Sequence, residues 1–161
     1  MTILILSTGG TFDKEYNEIN GTLAFRKTHV PELLQLGRCN AAVNIENLML
    51  IDSLQMTDAH RERIVTRVAV APECHVVITH GTDTMDQTAR ALAKANLSKT
   101  IVLTGAMIPI KFGSSDGLFN LGSAIAFAQS LAQGVYIAMN GRYFTWDKVR
   151  KDRERGVFVD I

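Results

Sequence analysis

Short runs of apolar, β-prone residues recur along this chain, and the segments between them switch to a helical period. Thr2–Ser7 (TILILS), Leu48–Asp52, His75–His80 (HVVITH), Thr100–Thr104 (TIVLT) and Val135–Asn140 (VYIAMN) read as strands. They are apolar throughout rather than alternating, the pattern of strands covered on both faces. Pro31–Leu36, Asp58–Ala71, Met85–Ala95 and Leu118–Gln133 read as helices. Ile64, Val65 and Val68 share one side of the second. The third opens on Thr84-x-x-Gln87, a capping-box pattern, and the fourth follows Asp116, a candidate cap. Strands alternating with helices predict an α/β fold, a three-layer sandwich with a mostly parallel central sheet.

At 161 residues the chain is long enough for one core. No internal repeat and no Pro/Gly/Ser linker divides it, so residues 1–161 are expected to form one domain. Hydrophobic residues at 47% and charged residues at 20% exclude a disordered protein. Seventeen Lys and Arg against sixteen Asp and Glu leave a net charge of +1. That is no surplus for binding nucleic acid. No apolar run approaches the ~20 residues of a membrane span, so no membrane partner is expected. Met1-Thr2-Ile3-Leu4 enters the first strand without a basic leader, which predicts a cytoplasmic protein. Cys39 and Cys74 are too few for a disulfide scaffold and read as reduced thiols.

Several familiar motifs fail. No GxGxxG opens the first strand–helix unit, and no GxxxxGK[ST] occurs. His29, His60, His75 and His80 lack metal-ligand spacing and read as structural, so no metal is expected. Gly113-Ser114-Ser115-Asp116-Gly117 matches G-x-S-x-G, but the serine does not follow a strand directly and no histidine lies beyond it.

What remains is a concentration of hydroxyls at strand ends. Ser7-Thr8-Gly9-Gly10-Thr11 closes the first strand, with glycines that let backbone N–H groups approach a ligand and a threonine beside them. Thr79-His80-Gly81-Thr82-Asp83-Thr84 closes another, just ahead of a helix N-terminus that favours anions. Asp52-Ser53 closes a third. A hydroxyl nucleophile needs a base; without a suitable histidine, Lys148, Lys151 and Tyr16 are the candidates. Singly, each of these features reads as an ordinary turn or a solvated side chain. Their convergence favours function. The irregular stretches Phe12–Lys27, with an Asn20-Gly21 hairpin signal, and Gly141–Gly156 both leave strands, where α/β sheets place their sites.

Thr8-Gly9-Gly10-Thr11, Asp52-Ser53, Thr79 through Met85, Gly105-Ala106-Met107 and Ser115-Asp116-Gly117 with Phe119-Asn120-Leu121 together resemble the bacterial-type L-asparaginases. The resemblance implies hydrolysis of a small-molecule side-chain amide, L-asparagine, without metal or organic cofactor. It implies Thr11 as the nucleophile with Tyr16 as its partner. It also implies a second triad of Thr82, Asp83 and a lysine, for which spacing from Met139-Asn140 favours Lys151 over Lys148. Ser53 and Asp83 would hold the substrate's α-carboxylate and α-amino group, with Gly10, Gly81, Thr82 and Ala106 completing the binding surface. Leu54 departs from the polar residue usual after the active-site serine. The family usually carries a C-terminal domain that would begin near Ile161. A single-domain enzyme forming a homodimer or larger homo-oligomer is therefore expected. A glutaminase or an amidotransferase subunit is the enzymatic alternative, and an amino-acid-binding module that lacks turnover is the non-enzymatic one.

Overall fold

Leu4 and Leu6 leave the first strand on one side, Ile3 and Ile5 on the other, and all four are buried. The alternation of side chains along a strand therefore feeds two cores, one on each face of a single sheet. The computed structural model covers residues 1–161. Its elements in chain order are β1 (Ile3–Gly9), β2 (Lys14–Asn17), β3 (Thr22–Phe25), α1 (Val30–Leu36), β4 (Val43–Ile51), α2 (Asp58–Val70) and β5 (His75–Thr79). Then follow α3 (Met85–Lys94), β6 (Thr100–Thr104), α4 (Gly117–Ser130), β7 (Gly134–Met139), β8 (Arg142–Thr145), β9 (Val149–Asp152) and β10 (Val157–Asp160).

The main sheet has the order β4-β1-β5-β6-β7-β8, parallel except for the β7–β8 pair. Ile64 and Val68 of α2 and Met85, Ala89 and Leu92 of α3 pack against Leu4, Leu6, Val76, Ile78, Ile101 and Leu103. On the opposite face, Val30 and Leu33 of α1 and Leu121, Ala124, Ile125 and Ala128 of α4 cover Ile3, Ile5, Val77 and Val102. This is the expected three-layer α/β sandwich. Burying each such Leu or Ile contributes about 1.5–3 kcal/mol. No helix is long and apolar enough to cross a membrane.

Four local expectations change. Thr84 does not form a capping box; its hydroxyl donates to the Ser53 carbonyl at 2.9 Å, and no side chain caps α3. A capping box forms instead at Thr57, where the third helical residue, His60, accepts from the Thr57 N–H through Nδ1. Asp116 does not cap α4 but accepts from the Met107 and Ile108 amides, folding the loop after β6 back onto the helix. Phe12, read within an irregular stretch, is fully buried in the α1/α4 core. Gly141–Gly156 is not irregular: it supplies the antiparallel edge strand β8 and most of the β9–β10 hairpin. Dense surface charge hid these short strands, whose inward positions are few: Phe144, Val149 and Phe158.

Candidate active site

Strand β1 has β4 on one side and β5 on the other, so the order of connection reverses there. Helices α1 and α2, which flank β4 in sequence, pack on opposite faces and leave a crevice at the strands' carboxyl ends. The loops after β1, β4 and β5 meet in it. Gly10, at φ +76°, approaches Gly81 so closely that a Cβ on Gly10 would lie 2.4 Å from the Gly81 Cα. A Cβ on Gly81 would in turn lie 2.5 Å from the Ser53 Oγ. The Gly10 N–H donates to the Ile51 carbonyl at 2.9 Å, joining the first two loops. Only glycines allow this approach of backbones.

Lys151 reaches this crevice from β9. Its Nζ donates to Thr82 Oγ1 and to Asp83 Oδ1, both at 2.8 Å. The Lys151 side chain is largely buried and Asp83 partly so. Arg153, 65% exposed, adds a second cation, with Nη1 3.3 Å from the same Asp83 Oδ1 and Nη2 3.3 Å from the Asp83 carbonyl. The Lys148 side chain, in the turn ahead of β9, makes no hydrogen bond; its amide donates to Thr145. Of the two candidate lysines, Lys151 is the one that reaches the Thr82–Asp83 pair.

Thr11 begins a short 3-10 turn, Thr11–Asp13, and is half-buried at the crevice. Tyr16 is not beside it. Tyr16 lies on the β2–β3 hairpin, 55% exposed, with its hydroxyl over the turn 3.8 Å from where a Gly21 Cβ would stand. The hairpin itself forms where Asn20-Gly21 predicts it, with Gly21 at φ +69°. The resemblance makes Tyr16 the partner of Thr11, whereas in this structure strand pairing of Tyr16 with Leu23 directs it along the hairpin.

Ser53 is buried at the start of a second 3-10 turn. Asp52 beside it forms an ion pair with Lys14 at the base of the hairpin and accepts from the Leu54 amide. Burial alone would raise the Asp52 carboxyl, but the Lys14 and Leu54 bonds outweigh it and hold it below its ordinary value. Leu54 is exposed. Ala106 is buried, and the preceding Gly105 carbonyl accepts from Asn120 Nδ2 at 2.9 Å. Asn120 Oδ1 accepts from the Asn140 amide, so one buried side chain ties the β6 and β7 ends together.

His80 is fully buried behind the Thr82 loop. Its Nδ1 lies 2.7 Å from the Gly81 carbonyl and its Nε2 2.7 Å from Thr88 Oγ1. Burial pushes its pKa down to about 4, so the ring is neutral at pH 7. A proton on Nδ1, donated to the carbonyl, leaves Nε2 to accept from Thr88. No three His, Cys, Asp or Glu side chains gather as a metal site.

The fold therefore brings together Gly10, Thr11, Ser53, Gly81, Thr82, Asp83 and Lys151, with Gly105-Ala106 on the adjoining strand end. It leaves Tyr16 apart. Lys14, Asp13 and Arg153 belong to the same region, and sequence reasoning misses all three. Lys14 and Asp13 directly follow the Thr11 motif, and Arg153 lies two residues beyond Lys151, so proximity to the motifs is the only signal.

The family model for the asparaginase N-terminal domain matches residues 2–157. The L-asparaginase of Thermococcus kodakarensis is 30% identical over 162 residues, covering 98% of this chain and 49% of that protein. Its thermostable enzyme has a solved structure that superposes with a TM-score of 0.85, covering 100% of this chain and 51% of that one. A glutamyl-tRNA(Gln) amidotransferase component from Methanococcus maripaludis is 34% identical over 151 residues, covering 86% of this chain and 35% of its own. A glutaminase-asparaginase of Pseudomonas fluorescens is 30% identical over 176 residues, covering 99% of this chain and 46% of its own. The chain thus spans about half or less of the length of these relatives.

Proposed function

This chain belongs to the asparaginase family, and from that premise we propose that it hydrolyses the side-chain amide of L-asparagine to L-aspartate and ammonia. The observation that carries the reading is the Lys151 ammonium between Thr82 Oγ1 and Asp83 Oδ1. A hydroxyl becomes a nucleophile, or orients a water, when a neighbouring base takes its proton. Lys151 in its neutral form is placed to do so, and Asp83 then stabilises the ammonium that results.

In the proposed sequence the Thr11 hydroxyl attacks the amide carbon. Backbone N–H groups at the crowded glycine loops and the Thr82 hydroxyl hold the developing oxyanion. The C–N bond breaks, ammonia leaves with the proton, and an ester to Thr11 remains. Water, oriented by Thr82 and Lys151, cleaves the ester to the carboxylic acid and restores Thr11. Ser53 and Asp83 bind the substrate's charged groups, with Gly10, Gly81 and Ala106 forming the adjoining wall. Tyr16 joins Thr11 only after the hairpin moves.

A second reading makes Thr82 the first nucleophile. It is favoured by the bond from Lys151 to Thr82, since Thr11 has no comparable partner in place. A diazoketone analogue of asparagine, followed by peptide mass mapping, separates the two: label on Thr11 supports the first and label on Thr82 the second. Comparing ammonia release from asparagine and glutamine addresses the broader alternative, because relatives bear glutaminase-asparaginase and amidotransferase names. Absence of ammonia from either amide would leave the binding-module reading. Assembly into a homodimer or larger homo-oligomer is part of the proposal and is read by sedimentation.

A further inference from the structure

Asp13 lies two residues beyond Thr11, at the end of the same 3-10 turn, and is completely buried. Three donors converge on its carboxylate from outside the turn. Ser7 Oγ of β1 donates to Oδ2 at 2.8 Å; Thr28 Oγ1 and the His29 amide donate to Oδ1 at 3.2 and 2.8 Å. Lysine or arginine does not pair with it, since the neighbouring Lys14 is committed to Asp52. The Asp13 amide closes the turn on the Gly10 carbonyl at 3.2 Å.

A buried anion held only by neutral donors is costly, because it forfeits hydration that hydrogen bonds replace in part. Burial accordingly lifts the Asp13 carboxyl above its ordinary value, against the lowering by the His29 amide, Ser7 and Thr28 bonds and by the His29 ring. A neutral side chain would serve a purely structural turn at lower cost. An ionised group in this position has one evident use: each of its bonds strengthens with the charge, and all three restrain the turn that presents Thr11. Phe12, buried between Thr11 and Asp13, anchors the same turn in the α1/α4 core.

We infer that Asp13 is a positioning residue, whose carboxylate fastens the Thr11 turn to β1 through Ser7 and to the start of α1 through Thr28 and the His29 amide. Only the kinetic consequence rests on the role proposed for Thr11; the restraint of the turn does not. The charged groups around the cluster are few. The His29 ring lies 3.0 Å from Glu15 Oε1 and 3.6 Å from Glu32 Oε2, off the direction of a hydrogen bond. Glu32 pairs with Lys111, and Arg26 stands 3.7 Å from Glu15.

The test compares wild type with Asp13→Asn, Ser7→Ala and Thr28→Ala by amide hydrogen exchange at pH 7 and by the pH profile of kcat for ammonia release from asparagine. Asp13→Asn is expected to speed exchange across Gly10–Lys14 at least about tenfold while β5 is unaffected, and to lower kcat at least about tenfold with little change in KM. It also removes the acid limb of kcat that belongs to Asp13. Ser7→Ala and Thr28→Ala each take one donor from the carboxylate and move that limb up by about one pH unit, the equivalent of a bond to a charged group. A purely structural role would leave the limb where it is. Unaltered exchange in Asp13→Asn, or an unmoved limb in both alanine variants, overturns the inference. If Asp13→Asn does not fold, exchange in the alanine variants decides by the same criterion. A wild type that releases no ammonia overturns the proposed function instead, and the exchange comparison still decides the role of Asp13.

Discussion

Lys151 stands 2.8 Å from the Thr82 hydroxyl oxygen, joined to it across 69 positions of sequence by a hairpin that packs beside the main sheet. The contact depends on Val149 and Phe158, which bury the hairpin against the α2/α3 core and so aim the intervening lysine at the end of β5. Lys151→Met is therefore expected to lower kcat by several orders of magnitude, while Lys148→Met leaves it within about twofold. Steady-state kinetics on asparagine for both variants, with circular dichroism to verify folding, checks this. A reversed pattern would assign the proton transfer to Lys148.

Arg153 competes for the Asp83 oxygen that Lys151 already holds. If Asp83 binds the substrate's ammonium group, Arg153→Ala should strengthen that binding. An exposed ion pair is worth roughly 0.2–1 kcal/mol, so KM should fall by at most about fivefold with kcat unchanged, and the difference should fade in high salt. A higher KM in the variant would mean that Arg153 itself holds a substrate anion.

The close passage of Gly10 over Gly81 leaves no room for a methyl group, and Gly10 also needs its positive φ. Gly10→Ala should cost about 1–3 kcal/mol of stability and should depress kcat by displacing both threonine loops together. Denaturant unfolding and ammonia release measure the two effects. Gly122, by contrast, faces open space on α4, and alanine there should be neutral or slightly stabilising.

His80 provides a pH-dependent test of the buried scaffold. Its folded pKa of about 4 lies below the ordinary value of 6.5, so the native state excludes a proton that the unfolded chain accepts. The stability is therefore present above about pH 6.5 and is lost as the pH falls toward 4, by about 3 kcal/mol at the acid end. In His80→Gln this component of the pH dependence should disappear. Urea titrations at pH 7 and pH 4.5 provide the comparison.

The layers of this fold are legible in the sequence because β1, β5, β6 and β7 are buried on both faces and so lack the polar alternation of surface strands. The short strands β8 and β9 are not, since Arg142, Arg150 and Lys151 interrupt the apolar pattern that marks a strand. The strand-end clusters at Thr11, Ser53 and Thr82 announce the crevice only in combination, because each singly reads as an ordinary turn. Loop position alone does not give the direction of Tyr16: pairing with Leu23 sets it, and that pairing belongs to the folded hairpin. At Thr84 a nearby carbonyl, that of Ser53, outcompetes the helix for its hydroxyl.

Thr11→Ala should abolish turnover while leaving the fold intact, because the residue is half-buried at a turn rather than packed in either core. With the diazoketone analogue it should also lose covalent labelling. Labelling that persists on Thr82 in this variant would support the second reading of the nucleophile.

The most direct measurement is ammonia and L-aspartate production from L-asparagine by the purified chain and by Thr82→Val. The account predicts stoichiometric release of both products by the wild type, a slower reaction with glutamine, and a loss of kcat of at least about a hundredfold in the folded variant. Wild type that releases no ammonia from asparagine, or a Thr82→Val protein that keeps more than about a tenth of the wild-type kcat, would contradict it.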